Sequence, residues 1–128
     1  MQYMDAKRRK IIDVQFYKSD AGSIPVKEWL KKLIAADRKN IGDDIRTVEF
    51  GWPIGMPLVG KVDTDLWEVR SDLSNNRISR VLFTVDSDMM VLLHAFIKKA
   101  PKTPKNDLKT AKRRMSHIKK EKINDRNS

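Results

Sequence analysis

Glu68 and Arg70 stand two residues apart, and so do His94, Phe96 and Lys98. On a β-strand, residues at such spacing line one face. Three segments here read as strands: Leu66 to Asp72, Arg77 to Val85, and Met89 to Lys98. Trp67 and Val69 alternate inward on the first, and Val81, Phe83 and Val85 on the second. Opposed side chains of an antiparallel pair share a face. Matching the two core sets therefore turns Glu68 and Arg70 to the same outer face as Arg80, and a turn between Ser74 and Asn75 sets Arg70 beside Arg80. A second turn near Ser87 puts Val81 opposite Leu93 and Arg80 opposite His94. One face, opposite the helices, is then expected to carry Glu68, Arg70, Arg80, His94, Phe96 and Lys98.

Such a face suits a polynucleotide. Arginine forks hold phosphate oxygens bidentately, Phe96 offers a ring on which a base can stack, and His94 can exchange protons near neutral pH. Cleaving RNA requires deprotonating the 2′-hydroxyl, stabilising the crowded phosphate and protonating the departing 5′-oxygen. Clustered cations serve the second need and make it easier for one of them to give up a proton, so Lys98 or Lys99 is a candidate base. Plainer roles stay open. Arg80 can pair with Glu68 across the strands, His94 can be a hydrogen-bonded structural residue, and Lys98 and Lys99 can form a solvated strand end. Trp29, Trp67 and the methionines read as core, whereas Trp52 is undecided because it sits in a loop.

The elements that must position these groups are legible in outline. Residues 9–17 read as a first strand. Ser23 is the expected N-cap of a helix with Pro25 in its first turn and Val26, Trp29, Leu30, Leu33 and Ile34 as its apolar stripe. A second helix is expected from about Asp37 to Phe50, with Ile41, Ile45 and Val48 inward. Three glycines and two prolines between Gly51 and Gly60 predict an irregular loop. Thr103 and Pro104 open a last helix whose inner stripe is Leu108, Ala111, Met115 and Ile118. The order β-α-α-β-β-β-α predicts an α+β fold, an antiparallel sheet with its helices on one face. A single domain is expected over residues 1–121, with 122–128 a frayed polar tail.

Composition narrows the function. Without cysteine there are no thiolate metal sites, disulfides or thiol nucleophiles. There is no phosphate-binding glycine loop, dinucleotide fingerprint or paired-histidine metal motif, and His94 and His117 are the only histidines. No metal and no cofactor are expected. No apolar run is long enough to span a membrane, and Asp13 interrupts Ile11-Ile12 after the basic Lys7–Lys10 cluster, so the expectation is a cytoplasmic protein without a signal peptide. The net charge is +10; residues 1–97 contribute +1 and residues 98–128 contribute +9. So one-sided a basic segment points to a polyanion partner, although a solvated helix face carries the same signature. Arg77, Phe96, Lys102, Lys105, Lys109, Lys112 and Arg113 are the candidate RNA contacts.

Leu66-Trp67-Glu68-Val69-Arg70, Arg77 to Phe83, and the run Val91 to Lys99 followed by Lys102-Thr103-Pro104 resemble the RelE/HigB superfamily of toxins, most closely its phage-derived HigB-like branch. Ser23 to Leu30 is similar to that branch's first helix, and the likeness spans about residues 9–120. The resemblance implies a RelE-like fold and an endoribonuclease, an mRNA interferase that cuts mRNA in the ribosomal A site without metal. It implies neutralisation by a helix-turn-helix antitoxin, with operator DNA bound only through the pair. It maps catalytic roles onto Arg70, Arg80, Lys98 and Lys99, and makes Lys61 a recurrent family lysine. Some relatives use a tyrosine in the last helix; Leu108 stands in the comparable region here, which makes His94 the expected substitute. Two other readings share the sequence signals: a ParE-like DNA gyrase poison on the same fold, and a non-enzymatic nucleic-acid-binding accessory protein.

Overall fold

The computed structural model describes residues 9–127, the side chains of 124–127 excepted; Lys7 and Arg8 of the basic cluster, and Ser128, lie outside the described residues. The three alternating segments form β3 (Leu66–Asp72), β4 (Ile78–Asp86) and β5 (Met89–Ile97), an antiparallel meander. With β1 (Asp13–Phe16) and β2 (Val59–Asp63) they make a five-stranded sheet in the order β1-β5-β4-β3-β2. The helices are α1 (Pro25–Lys31), α2 (Ala35–Gly51) and α3 (Lys105–Asn127). The α+β class is as expected, and the fold is consistent with a RelE-like one.

Several details correct the sequence reading. The sheet is mixed, because β1 pairs with β5 in parallel. The expected loop ends early: Val59-Gly60-Lys61-Val62-Asp63 is an edge strand opposite β3, masked in the sequence by the glycines and prolines before it. Helices cover both faces rather than one. α1 and α2 pack on Val69, Val81, Phe83, Met90 and Leu92, while α3 lays Ala111 and Met115 on Leu66, Leu82, Val91 and Leu93. The cause is written in the strands, which are apolar at both parities; a second apolar face also needs cover. Ile24, not Ser23, is the N-cap of α1, and Pro104 immediately precedes α3, leaving the Thr103 hydroxyl free to reach Glu68. α3 runs to Asn127, and the Lys122 ammonium holds Asp86 at 2.7 Å.

Register decides where the cations fall. Arg70 stands opposite Arg80, as parity predicts. Between β4 and β5 a bulge inserts Leu93: Leu82 faces His94 but Phe83 faces Leu92. Arg80 therefore lies opposite Phe96 rather than His94. Beyond the bulge the shift is by two residues, so His94 and Phe96 stay on the face of Arg80; before it the shift is by one, so Met89 to Leu93 exchange faces, and Val81 lies opposite Ala95 rather than Leu93.

Candidate functional site

Glu68 is the hub of the α3-facing surface and is 2% exposed. Its Oε1 accepts from Arg70 Nε at 3.1 Å, with Arg70 Nη2 at 3.0 Å and Arg80 Nη1 at 3.5 Å, and its Oε2 accepts from the Thr103 hydroxyl at 3.3 Å. Arg80 is almost fully buried and donates its Nη2 to the Pro101 carbonyl, while its Nε has no partner among the described residues. The two arginines thus divide the labour. Arg80 is a fixed charge in the floor, and Arg70 is clamped by the same carboxylate but one-third exposed. Gly60, beside Glu68 on β2, leaves the room this requires: a Cβ there would meet Arg70 Nη2 at 3.0 Å.

Arg70, Arg80 and Lys98 line a single cavity of about 350 Å³ at one end of the sheet, together with Asp44 of α2, Asp72, Ile78, Pro57 and Leu58. A neighbouring depression shares Lys98 and adds Lys99 and Pro101, and a third shares Lys99 and adds Phe96, Trp29 and Asp107. Adjacent through Lys98 and then Lys99, the three depressions make up a furrow just past the end of β5. Neither lysine side chain has an ion pair or hydrogen bond among the described residues, so both are available to an anion.

The Gp49-like family of phage-derived proteins (DUF891) matches residues 28–116, well over half of the chain. The chain belongs to that family. Its members are RelE-like toxins of toxin–antitoxin pairs, so an antitoxin partner follows from membership. The search of curated proteins finds no match.

In this Gp49-like chain the other expected site residues fall into two groups. His94 lies outside the arginine cavity. Its Nε2 is 2.6 Å from Asp107 Oδ1, its Nδ1 is 3.4 Å from Arg114 Nη1, and its ring stacks at 6.0 Å on Phe96. Arginine only donates, so Nδ1 accepts and the ring proton points from Nε2 to Asp107. Arg114 also donates to the Leu93 carbonyl at 2.7 Å, and burial, ahead of the neighbouring Arg113, pulls it below the ordinary arginine pKa. Arg77 is tied to buried Asp37 and to Ser74, which fixes the β3–β4 turn to α2. The Ser74 backbone N–H, more than Arg77, holds the Asp37 carboxyl below its usual pKa. Lys112 grips Asp63 at 2.5 Å. Lys61 stands opposite Trp67, on the other face of the sheet from Arg70. Lys102, Lys105, Lys109 and Arg113 remain without ion pairs among the described residues. Trp52 proves to be core, edge-on to Trp67 at 5.0 Å and to Phe83 at 5.6 Å.

The sequence reading missed Asp44, Asp72 and Thr103, which come from three separate elements, and Asp107 and Arg114. The last two carried a signal. They are seven residues apart and so share the helical face of Leu108, Ala111 and Met115 that packs on β5. Among the described residues, no helix is long and apolar enough to cross a membrane.

Proposed function

We propose that this protein is the toxin of a type II toxin–antitoxin pair and acts as a ribosome-dependent endoribonuclease, cutting mRNA in the A site. The observation that supports this most is the cavity shared by Arg70, Arg80 and Lys98, open to the lysine-lined furrow. One phosphodiester fits there with its non-bridging oxygens toward the Arg70 fork. The 2′-oxygen attacks phosphorus and the bond to the 5′-oxygen breaks, leaving a 2′,3′-cyclic phosphate and a free 5′-hydroxyl. Arg70 and Lys98 oppose the charge that accumulates on phosphorus oxygens, and buried Arg80 adds a fixed field from below. Lys98 or Lys99, on mobile stems, moves the protons. Phe96 gives a flanking base a stacking face at the other end of the furrow. His94 is a positioning residue in this scheme, holding Asp107 and Phe96 in place.

The partner is a helix-turn-helix antitoxin, and operator DNA is engaged only through the pair. Lys102, Lys105, Lys109 and Arg113 provide sequence-independent contacts to ribosomal RNA. Induced expression followed by mapping of RNA ends tests the reading. Codon-linked cuts in translated mRNA, abolished in Arg70→Ala, are expected. DNA breaks with intact transcripts would instead favour gyrase poisoning, and growth arrest unaffected by Arg70→Ala would remove the cavity from the mechanism.

A further inference from the structure

α3 carries a second cluster, remote from the furrow in composition and partners. His117 Nε2 lies 3.0 Å from Asp20 Oδ1 and 3.4 Å from Glu121 Oε1, and a ligand atom from each of the three residues falls within 4.8 Å of the others. His117 and Glu121 are one helical turn apart, and Asp20 comes from the turn after β1. The other ring nitrogen, Nδ1, is held at 2.8 Å by the hydroxyl of buried Tyr17, whose ring meets the imidazole edge-on.

Two features make this more than an ion pair. First, hydrogen bonding alone does not satisfy it. Nε2 carries at most one proton, yet two carboxylates converge on it. No lysine or arginine among the described residues pairs with Asp20 or Glu121, although lysines elsewhere on α3 take Asp63, Asp65 and Asp86. Second, the spacing is that of a coordination sphere. Ligand bonds of about 2.0–2.2 Å in a tetrahedron put neighbouring ligand atoms about 3.4 Å apart. Both distances from Nε2 are near that value. The Tyr17 contact is the orienting hydrogen bond that metal-bound imidazoles ordinarily make through their second nitrogen.

We propose that Asp20, His117 and Glu121 form a binding site for a divalent transition-metal cation, zinc by the nitrogen–oxygen ligand set, with water in the fourth position. Asp20 and Glu121 are exposed, so the site stands open to solvent at the sheet margin. The bound cation ties α3 to the turn after β1. Its role is to pin the helix that covers Leu82, Val91 and Leu93, and the phosphate chemistry proposed above does not depend on it.

Zinc chloride is titrated calorimetrically into the full chain at pH 7.5 in a non-chelating buffer, with the histidine ring resonances followed by NMR. One equivalent is expected to bind, shifting the His117 ring signals and not those of His94, and raising the melting temperature by several degrees at saturation. Asp20→Asn and Glu121→Gln, both at exposed positions, are each expected to weaken binding at least tenfold, and the double variant to abolish it while melting as the zinc-free wild type does. Absence of one-equivalent binding would overturn the proposal and leave a hydrogen-bonded clamp. So would undiminished binding in the double variant, or perturbation of His94 instead of His117. None of these outcomes bears on RNA cleavage, which is scored separately.

Discussion

Replacing Glu68 by alanine removes the one carboxylate that three side chains share, and its cost can be worked from the structure. Glu68 is 2% exposed and Arg80 4%. Without Glu68, Arg80 keeps only the Pro101 carbonyl at 3.2 Å, and its Nε already lacks a partner. Breaking a buried ion pair from one side costs about 3–5 kcal/mol, because the stranded charge stays desolvated. That is a large part of the roughly 5–15 kcal/mol available to a domain. At roughly 3–5 °C per kcal/mol for a chain of this size, the melting temperature should fall by about 9–25 °C. Glu68→Gln keeps the shape and one acceptor, so about 1.5–3 kcal/mol is expected. The double variant Glu68→Leu/Arg80→Met removes both charges together and should recover most of the loss, since apolar replacement of a buried pair is often near neutral. Thermal and urea melts of the four proteins check this. Glu68→Ala within 1 kcal/mol of wild type, or a double variant worse than either single change, would refute the assignment of Arg80 as a buried, carboxylate-dependent charge.

Other expectations follow from the same contacts. Gly60→Ala places a methyl group 3.0 Å from Arg70 Nη2 and 3.3 Å from Met56 Sδ; stability should change by less than about 1 kcal/mol while RNA cleavage drops several-fold, measured side by side. The Asp37 carboxyl is held below the ordinary aspartate range, chiefly by the Ser74 backbone N–H. Its contribution is therefore complete above the unfolded pKa and is lost as pH falls through the lower folded value. Melts from pH 7 to 3 should show a flatter acid slope in Asp37→Asn than in wild type, and parallel slopes would contradict this. Ala111 is fully buried where α3 meets the sheet; Ala111→Leu overpacks that contact and should cost about 1–3 kcal/mol in a denaturant melt. His94→Ala should reduce growth arrest by loosening Asp107 and Phe96 while the protein stays folded by circular dichroism; wild-type toxicity would remove His94 from any role in the site.

Strand parity was the most informative sequence signal. It put Arg70 beside Arg80 and kept both on the face of Glu68, His94 and Phe96, because a period of two survives a register error of two. The bulge at Leu93 was not legible, since nothing in Val91-Leu92-Leu93-His94 marks which residue is extra. The second helical layer was readable in principle: Leu66, Leu82, Val91 and Leu93 sit at the parity opposite to Val69, Val81 and Phe83. Their presence requires cover that α1 and α2 cannot supply. β2 was hidden because its five residues follow a breaker-rich loop and include Gly60. Charge counting was the weakest guide. Lys112 and Arg77, expected as polyanion contacts, also pair with Asp63 and Asp37, which lie 49 and 40 residues away in sequence and which a charge count does not reveal.

The most direct test of the central claim is cleavage of a defined mRNA on purified, programmed ribosomes, with 5′ and 3′ ends mapped for wild type and for Arg70→Ala verified as folded. The account predicts a cut in the A-site codon by the wild type, ending in a cyclic phosphate, and at least a hundredfold slower cutting by the variant. Intact mRNA with the wild type, or equal cutting by Arg70→Ala, would contradict it.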